Sequence, residues 1–264
     1  MRCSLSSAEK LAFYLLKKVN RAIRDYDLIE DGDRIAVAVS GGKDSLTLLK
    51  LLNLRRRTAP ERYELVAVNV QADYQCLGHL PSQELERLFQ LEGIEYSIER
   101  VNILGEGGQD PDCFWCSWNR RKAIFLATDR LGCNKVAFGH HADDVAQTTL
   151  LNLFYQGRLE TMEPRVEFFG GKITLIRPLI YVSEEEIARF AEACGFPPPS
   201  QRCPRDASSK RTKMGEFLRA IEKECPQVKA NLLRAVQRQP VSSRKPQKQP
   251  HRHRNFSKAT VLDS

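Results

Sequence analysis

The sequence predicts an α/β protein, with a parallel, doubly wound sheet and a helical C-terminal part. Two observations carry that expectation. Short runs rich in β-branched residues alternate with longer helical stretches, which implies a sheet covered on both faces. Glycine- and aspartate-bearing turns follow at least two of the strands and open directly into helices. Open parallel sheets bind ligands outside the carboxyl ends of their strands. The informative loops are therefore those after Val39, Val70, Ile103 and Gly139.

The elements follow in order. Ser7 to Tyr26 is a helix, with Leu11, Leu15, Val19 and Ile23 on one face and Ser6 or Ser7 as cap. Asp31-Gly32-Asp33 is a turn, and Arg34 to Val39 (RIAVAV) a strand. Ser40 to Ser45 is a tight loop leading into a leucine-rich helix through Leu46, Leu48, Leu49, Leu51 and Leu52. Strands are expected at Tyr63–Val70, Tyr96–Ile103, Lys135–Gly139 and Lys172–Ile176. Helices are expected at Pro81–Gly93, Cys113–Leu131 and Asp143–Tyr155. Ser183–Cys194 begins with a capping box, Ser183-Glu184-Glu185-Glu186, and Pro197-Pro198-Pro199 stops it. Shorter helices follow near Lys213–Glu224 and Gln227–Val236. This gives an N-terminal helix (1–30), an α/β domain (31–180), a helical segment (181–236) and a tail (237–264).

The chain has 264 residues, of which 42% are hydrophobic, and a net charge of +8. No stretch approaches the roughly 18 continuous apolar residues of a membrane span. Met1-Arg2-Cys3-Ser4-Leu5 leads into charged residues without an apolar signal core, so a cytoplasmic location is expected. The segment from Arg238 onward holds seven Lys and Arg against the single acid Asp263. Its Gln-, Pro- and Ser-rich composition predicts disorder. Such an arm either adds salt-sensitive affinity for nucleic acid or only solubilises the chain.

Ser40-Gly41-Gly42-Lys43-Asp44-Ser45 joins a strand to a helix. Backbone N–H groups at a helix start are unpaired, and the helix dipole adds positive potential, so an anion is favoured there. Gly41 and Gly42 allow close approach, while Ser40, Lys43 and Ser45 add donors. The spacing is neither a Walker A loop nor a dinucleotide fingerprint. Gly139-His140-His141-Ala142-Asp143-Asp144 opens a second helix in the same way. Asp143 and Asp144 are placed to hold Mg²⁺ or to cap the helix, and one of the two is expected to face a nucleotide.

There are eight cysteines. Cys113-Phe114-Trp115-Cys116 has metal-ligand spacing, and Cys203 lies far downstream. No second C-x-x-C or H-x-x-H pair completes a structural zinc site. Three thiolates suit a [4Fe–4S] cluster with one iron free of protein ligand, since such clusters otherwise take four cysteines. Cys194 is an alternative third ligand, although it and Cys133 read as core. Trp118-Asn119-Arg120-Arg121-Lys122, Arg55-Arg56-Arg57 and Lys210-Arg211-Thr212-Lys213 are basic clusters suited to RNA phosphates, or simply solvated helix faces.

The S-G-G-x-D-S and G-H-x-x-D-D elements resemble those of the PP-loop ATP-pyrophosphatases (adenine nucleotide alpha hydrolase-like fold). From Ser40 to about Arg234 the chain resembles the tRNA 2-thiocytidine synthetases, the TtcA family. The resemblance includes the C-x-x-C pair with its basic helix, Asn152-Leu153-Phe154-Tyr155, Arg177-Pro178-Leu179 and a late cysteine after Phe196-Pro197. It implies that ATP is cleaved to AMP and pyrophosphate at Ser40, Gly41, Gly42, Lys43, Asp44, Ser45, Gly139, Asp143 and Asp144, with Mg²⁺. It also implies a [4Fe–4S] cluster on Cys113, Cys116 and Cys203 as the catalytic cysteines. Members of the family often carry a second C-x-x-C late in the chain; here Cys203 stands alone after Gln201 and Arg202. The implied reaction adenylates a base in the anticodon loop of tRNA and replaces its oxygen with sulfur from a cysteine desulfurase or free sulfide. A homodimer is also implied. The competing readings are a 2-thiouridine or lysidine synthetase of the same superfamily, a zinc-stabilised nucleotide-binding module, and sulfur transfer to a small molecule. The uridine-thiolating branch carries zinc-binding pairs at both chain ends, which this chain lacks.

Overall fold

The computed structural model describes residues 6–73, 81–103, 113–197 and 210–237. Six strands form one sheet: β1 (Arg34–Ala38), β2 (Glu64–Ala72), β3 (Glu95–Val101), β4 (Lys135–Ala137), β5 (Arg165–Phe168) and β6 (Ile173–Ile176). Their order is β3-β2-β1-β4-β6-β5. All neighbours run parallel except β5, which pairs antiparallel with β6. The helices are α1 (Ser7–Tyr26), α2 (Lys43–Arg55), α3 (Ser82–Glu92), α4 (Cys113–Arg130), α5 (Ala142–Gln156), α6 (Glu184–Ala193), α7 (Lys210–Glu222) and α8 (Val228–Gln237).

β1 is apolar along nearly its whole length because both of its faces are covered. Ile35, Val37 and Val39 pack with residues of α1, α2, α3 and α6 on one face. Ala36 and its neighbours Val66, Val68 and Val136 pack with Phe125 and Ala127 of α4 on the other. Ala146 and Leu150 of α5 form a separate small core with Leu218 of α7. The C-terminal helices therefore dock on α5 rather than on the sheet.

The antiparallel edge was not expected from the sequence. Phe169-Gly170-Gly171 turns tightly between β5 and β6, with Gly170 and Gly171 at φ 68° and 89°. Such a turn joins two strands without the long crossover that parallel pairing requires. The two apolar runs flanking Gly-Gly in RVEFFGGKITLI carried that signal.

The order places β1 and β4 side by side at the centre, with β2 and β3 to one side of β1 and β6 to the other side of β4. This is the topological switch point, where the loops leaving adjacent strands diverge and open a crevice. The loop after β1 is Ser40–Gly42, and the loop after β4 is Phe138–His141. No helix among the described residues is long and apolar enough to cross a membrane.

Candidate active site

The Ser40–Ser45 turn is tightened by its own side chains. Ser45 donates its hydroxyl to the Gly42 carbonyl at 2.9 Å and accepts the Ser40 N–H at 3.1 Å. Gly41 has φ 87°, a conformation that a side chain would strain. Gly42 caps α2 with no side-chain bond at the cap, so the helix start presents its amides to a ligand. Asn69, buried on β2, donates to the Val39 carbonyl at 2.7 Å and pins the entry to the turn. Sequence reading passed over Asn69; a lone amide inside the apolar run VAVNV was its signal.

Lys43 pairs with Asp44 at 3.0 Å and with Glu184 of α6 at 3.1 Å. Burial works against its charge, but the two carboxylates outweigh burial and raise its pKa.

The adjacent aspartates of α5 diverge. Asp144 accepts the His141 N–H at 3.1 Å and Arg211 Nη2 at 3.0 Å, and it lines the cleft above β1 and β4. Asp143 turns to the other side. It accepts the Glu184 N–H at 2.8 Å and pairs with Lys229 of α8 at 2.5 Å. Asp143 thus ties α5 to α6 and α8, while Asp144 caps its helix and faces the cleft.

His140 and His141 complete this wall. The His141 imidazole lies 3.8 Å from Asp44, 3.7 Å from Asp143 and 3.5 Å from Asp144. Burial disfavours its protonation, yet the three carboxylates prevail and its pKa is raised. His140 stacks on Phe138 and accepts Arg177 Nε at 3.2 Å on Nδ1. Burial, then the Arg177 charge, push its pKa down to about 4, so it is neutral at physiological pH.

The cleft has a volume of about 260 Å³. Ser40, Asp44 and Ser45 line one side, Gly139, His140 and Asp144 another, and Arg120 and Ile124 of α4 a third. Ala38, Val68, Val70 and Phe138 supply apolar surface. The two motifs after β1 and β4 therefore converge on one cavity.

Cys113 opens α4, and Cys116 follows one turn later. Cys116 is buried against Ala72, Ile103 and Val101, over the carboxyl ends of β2 and β3. This is the end of the sheet that carries the Ser40–Ser45 turn. Cys116, Arg120 and Ile124 recur at intervals of four and share one helix face. Cys203 lies outside the described residues, as do Cys3, Cys76 and the basic tail. Cys133 and Cys194 sit among the two main cores.

The outer face of α4 is aromatic and basic. Trp115 and Trp118 stack with ring centroids 5.7 Å apart, and Lys122 lies over Trp118 at 5.4 Å. Phe114, Trp115 and Trp118 are all exposed. A second exposed aromatic group, Phe154, Tyr155 and Phe217, lies between α5 and α7, with Lys210 over Tyr155. Of the three basic clusters, Arg55 is buried and paired with Asn20 and Glu61, so that residue serves the fold.

The PP-loop domain family matches residues 14–197. The chain is 43% identical over 225 residues to a tRNA-cytidine(32) 2-sulfurtransferase of Geobacter sulfurreducens, covering 83% of this chain and 86% of that protein. It is 40% identical over 235 residues to the protein of the same name from Geotalea uraniireducens, covering 86% and 92%. Its fold is similar to that of the U34-tRNA thiolase NcsA from Methanococcus maripaludis, solved with its [4Fe–4S] cluster. That match has a TM-score of 0.71 and 25% identity, and covers 88% of this chain and 79% of that one.

Proposed function

The chain belongs to the tRNA 2-thiocytidine synthetases of the PP-loop family, and on that premise we propose that it thiolates a cytidine of tRNA after adenylating the base. It is a tRNA sulfurtransferase enzyme with a PP-loop nucleotide domain. One observation carries the finer reading. The turns after β1 and β4 share a cleft whose third wall is the helix that begins with Cys113 and Cys116.

A base carbonyl oxygen is a poor leaving group. Its attack on the α-phosphorus of ATP forms a C–O–P linkage and expels pyrophosphate. Exchange for sulfur at the ring carbon then expels AMP. The amides at the start of α2, with Ser40 and Ser45, stabilise charge developing on the pyrophosphate. Asp44 and Asp144 line the cleft and offer the oxygen donors that Mg²⁺ requires, and a few carboxylates suffice because the ion keeps waters. Asp143 supports this wall from behind through Glu184 and Lys229.

The donor set near the cleft suits an iron–sulfur cluster. Cys113 and Cys116 sit one turn apart at the start of a helix, and Cys116 is shielded by Ala72 and Ile103. With Cys203 they would hold a [4Fe–4S] cluster, and the iron left without a protein ligand would supply a coordination position for sulfide delivered by an external donor. Trp118, Arg121 and Lys122 on the outer face of α4 suit single-stranded RNA, with stacking for bases and charge for phosphates. A loop base would leave its stack to enter the cleft.

The test is anaerobic incubation of the purified protein with tRNA, ATP, Mg²⁺ and sulfide, followed by mass spectrometry of the nucleosides. The expected products are a thiolated cytidine, AMP and pyrophosphate. Thiolated uridine or lysidine would replace the substrate assignment, and no nucleoside change with no AMP would overturn the reaction.

A further inference from the structure

We infer that Arg120 is the residue that grips the α-phosphate of the nucleotide, which makes α4 the support of both the adenylyl group and the cysteine pair. The inference rests on the nucleotide reading of the cleft. Its ground is one unpaired edge of a guanidinium. Nε and Nη2 of Arg120 are both buried and have no hydrogen-bond partner. These two nitrogens form one edge of the guanidinium fork, with parallel N–H bonds that match two oxygens of one phosphate. Buried N–H donors without partners are costly and persist where a ligand completes them.

The surroundings say which ligand. Among the described residues lining the cleft, Arg120 is the one cation. Lys43 is not among the lining residues and is paired with Asp44 and Glu184. His140 is neutral. The other charged lining groups are the carboxylates Asp44 and Asp144, which would repel an anion unless a cation intervened. Among the described lining residues, a polyphosphate entering here meets a single positive side chain.

Position within the cleft narrows the choice further. The start of α2 takes the terminal phosphates, as helix starts do. The apolar surface from Val68, Val70, Ile124 and Phe138 suits the adenosine. Arg120 stands one helical turn from Ile124 and lines the same cleft as Ser40 and Ser45, so it can reach the phosphate joining those two parts. Its neighbours Trp118, Arg121 and Lys122 are exposed, so Arg120 is the member of the basic run that faces inward. The same helix face carries Cys116 one turn earlier. Sulfur and the adenylated carbon would thus be presented from one rigid element.

The experiment compares Arg120→Gln and Arg120→Lys with the unaltered protein by calorimetric titration with AMP and, separately, with pyrophosphate, without tRNA. Arg120→Gln is expected to weaken AMP binding at least tenfold and leave pyrophosphate binding within about twofold. Arg120→Lys should fall between, because the charge stays and the fork is lost. Thermal melting without ligand should show Arg120→Gln at least as stable as the unaltered protein, with the AMP-induced rise in Tm lost. Equal AMP affinity in the unaltered and Gln proteins would overturn the proposal, as would a loss confined to pyrophosphate. If the unaltered protein binds neither AMP nor ATP, the nucleotide reading itself fails, which is a separate result.

Discussion

Gly139 and Asp44 meet backbone to backbone: a methyl group on Gly139 would lie 3.1 Å from the carbonyl carbon and oxygen of Asp44. The end of β4 is thereby packed directly on the start of α2, and the two cleft-forming turns hold each other in place. Gly139→Ala pushes on main chain, which cannot swing aside as a side chain can. The expected cost is about 1–3 kcal/mol, typical of overpacking. ATP affinity should fall with it, because the Asp44–Ser45 peptide pushed by the methyl belongs to the helix start proposed to bind phosphate. Urea unfolding and ATP titration of the same variant check both effects; an unchanged pair would show that the contact is slack.

Asp143 is a support for the C-terminal helices. Burial raises the cost of its charge, but His141, Lys229 and the Glu184 amide outweigh that and hold its carboxyl well below the usual carboxylate range. A depressed carboxylate contributes stability above its unfolded value, near 4, and loses it as the pH falls toward the folded value. Asp143→Asn should therefore cost about 1–3 kcal/mol at pH 7, in the range for breaking a half-buried pair. The gap from the unaltered protein should narrow as the pH drops below about 4. Urea unfolding at pH 7, 5 and 3.5 measures this, and a gap independent of pH would contradict the ionised pairing.

The neighbouring histidines should titrate in opposite directions. His140, pushed down to about 4, stays neutral through the physiological range, while His141 remains charged above its ordinary value. A raised histidine stabilises fully below the unfolded pKa, about 6.5, and its contribution is lost as the pH rises through the folded value. His141→Asn should then cost more stability at pH 6 than at pH 9. Imidazole NMR in chelator-treated protein, with urea unfolding at both pH values, tests the pair. Coincident midpoints for the two rings would refute the opposed environments.

Much of this site was open to reading along the chain, and the reasons are local. The turn after β1 announces itself because anion-binding amides need glycines, a strand before and a helix after. Cys113 and Cys116 announce themselves by spacing alone. What stayed hidden depends on contacts distant in the chain. Whether Asp143 or Asp144 faces the cleft is decided by the Glu184 amide and by Lys229, which belong to α6 and α8. Arg120 read as one basic residue in a run, because no pattern separates the inward side of α4 from its outward side: the helix has aromatic and apolar residues all round. The β5 edge was missed although its Gly-Gly turn was visible, since the alternating plan elsewhere favoured parallel pairing.

Trp118 and Lys122 offer a test of the RNA surface that leaves the cleft alone. Stacking one base on an exposed aromatic contributes about 1–3 kcal/mol. Trp118→Ala is therefore expected to weaken tRNA binding by roughly tenfold with AMP affinity unchanged. Replacing Lys122 with Gln should reduce the salt dependence of tRNA binding by about one phosphate contact. Filter binding across a salt series measures both, and wild-type affinity in the two variants would move the RNA to another face, such as that around Tyr155 and Lys210.

The cysteines separate fold from chemistry most cleanly. Cys116 is buried against Ala72, Val101 and Ile103, so alanine there keeps an apolar contact and removes one sulfur atom. A purely structural thiol would then cost about 1 kcal/mol and leave thiolation nearly intact. A cluster ligand would behave otherwise. Cys116→Ala, Cys113→Ala and Cys203→Ala should each lose iron and acid-labile sulfide together with thiolated product, while ATP binding stays within a few-fold because the phosphate turn lies on α2. Cys194→Ala and Cys133→Ala should keep both metal and product. Iron analysis, visible absorption and nucleoside mass spectrometry on all five proteins decide the assignment. Loss of product in Cys194→Ala with retention in Cys203→Ala would transfer the third ligand to α6, and retention in Cys113→Ala, Cys116→Ala and Cys203→Ala together would remove the cluster from the reaction.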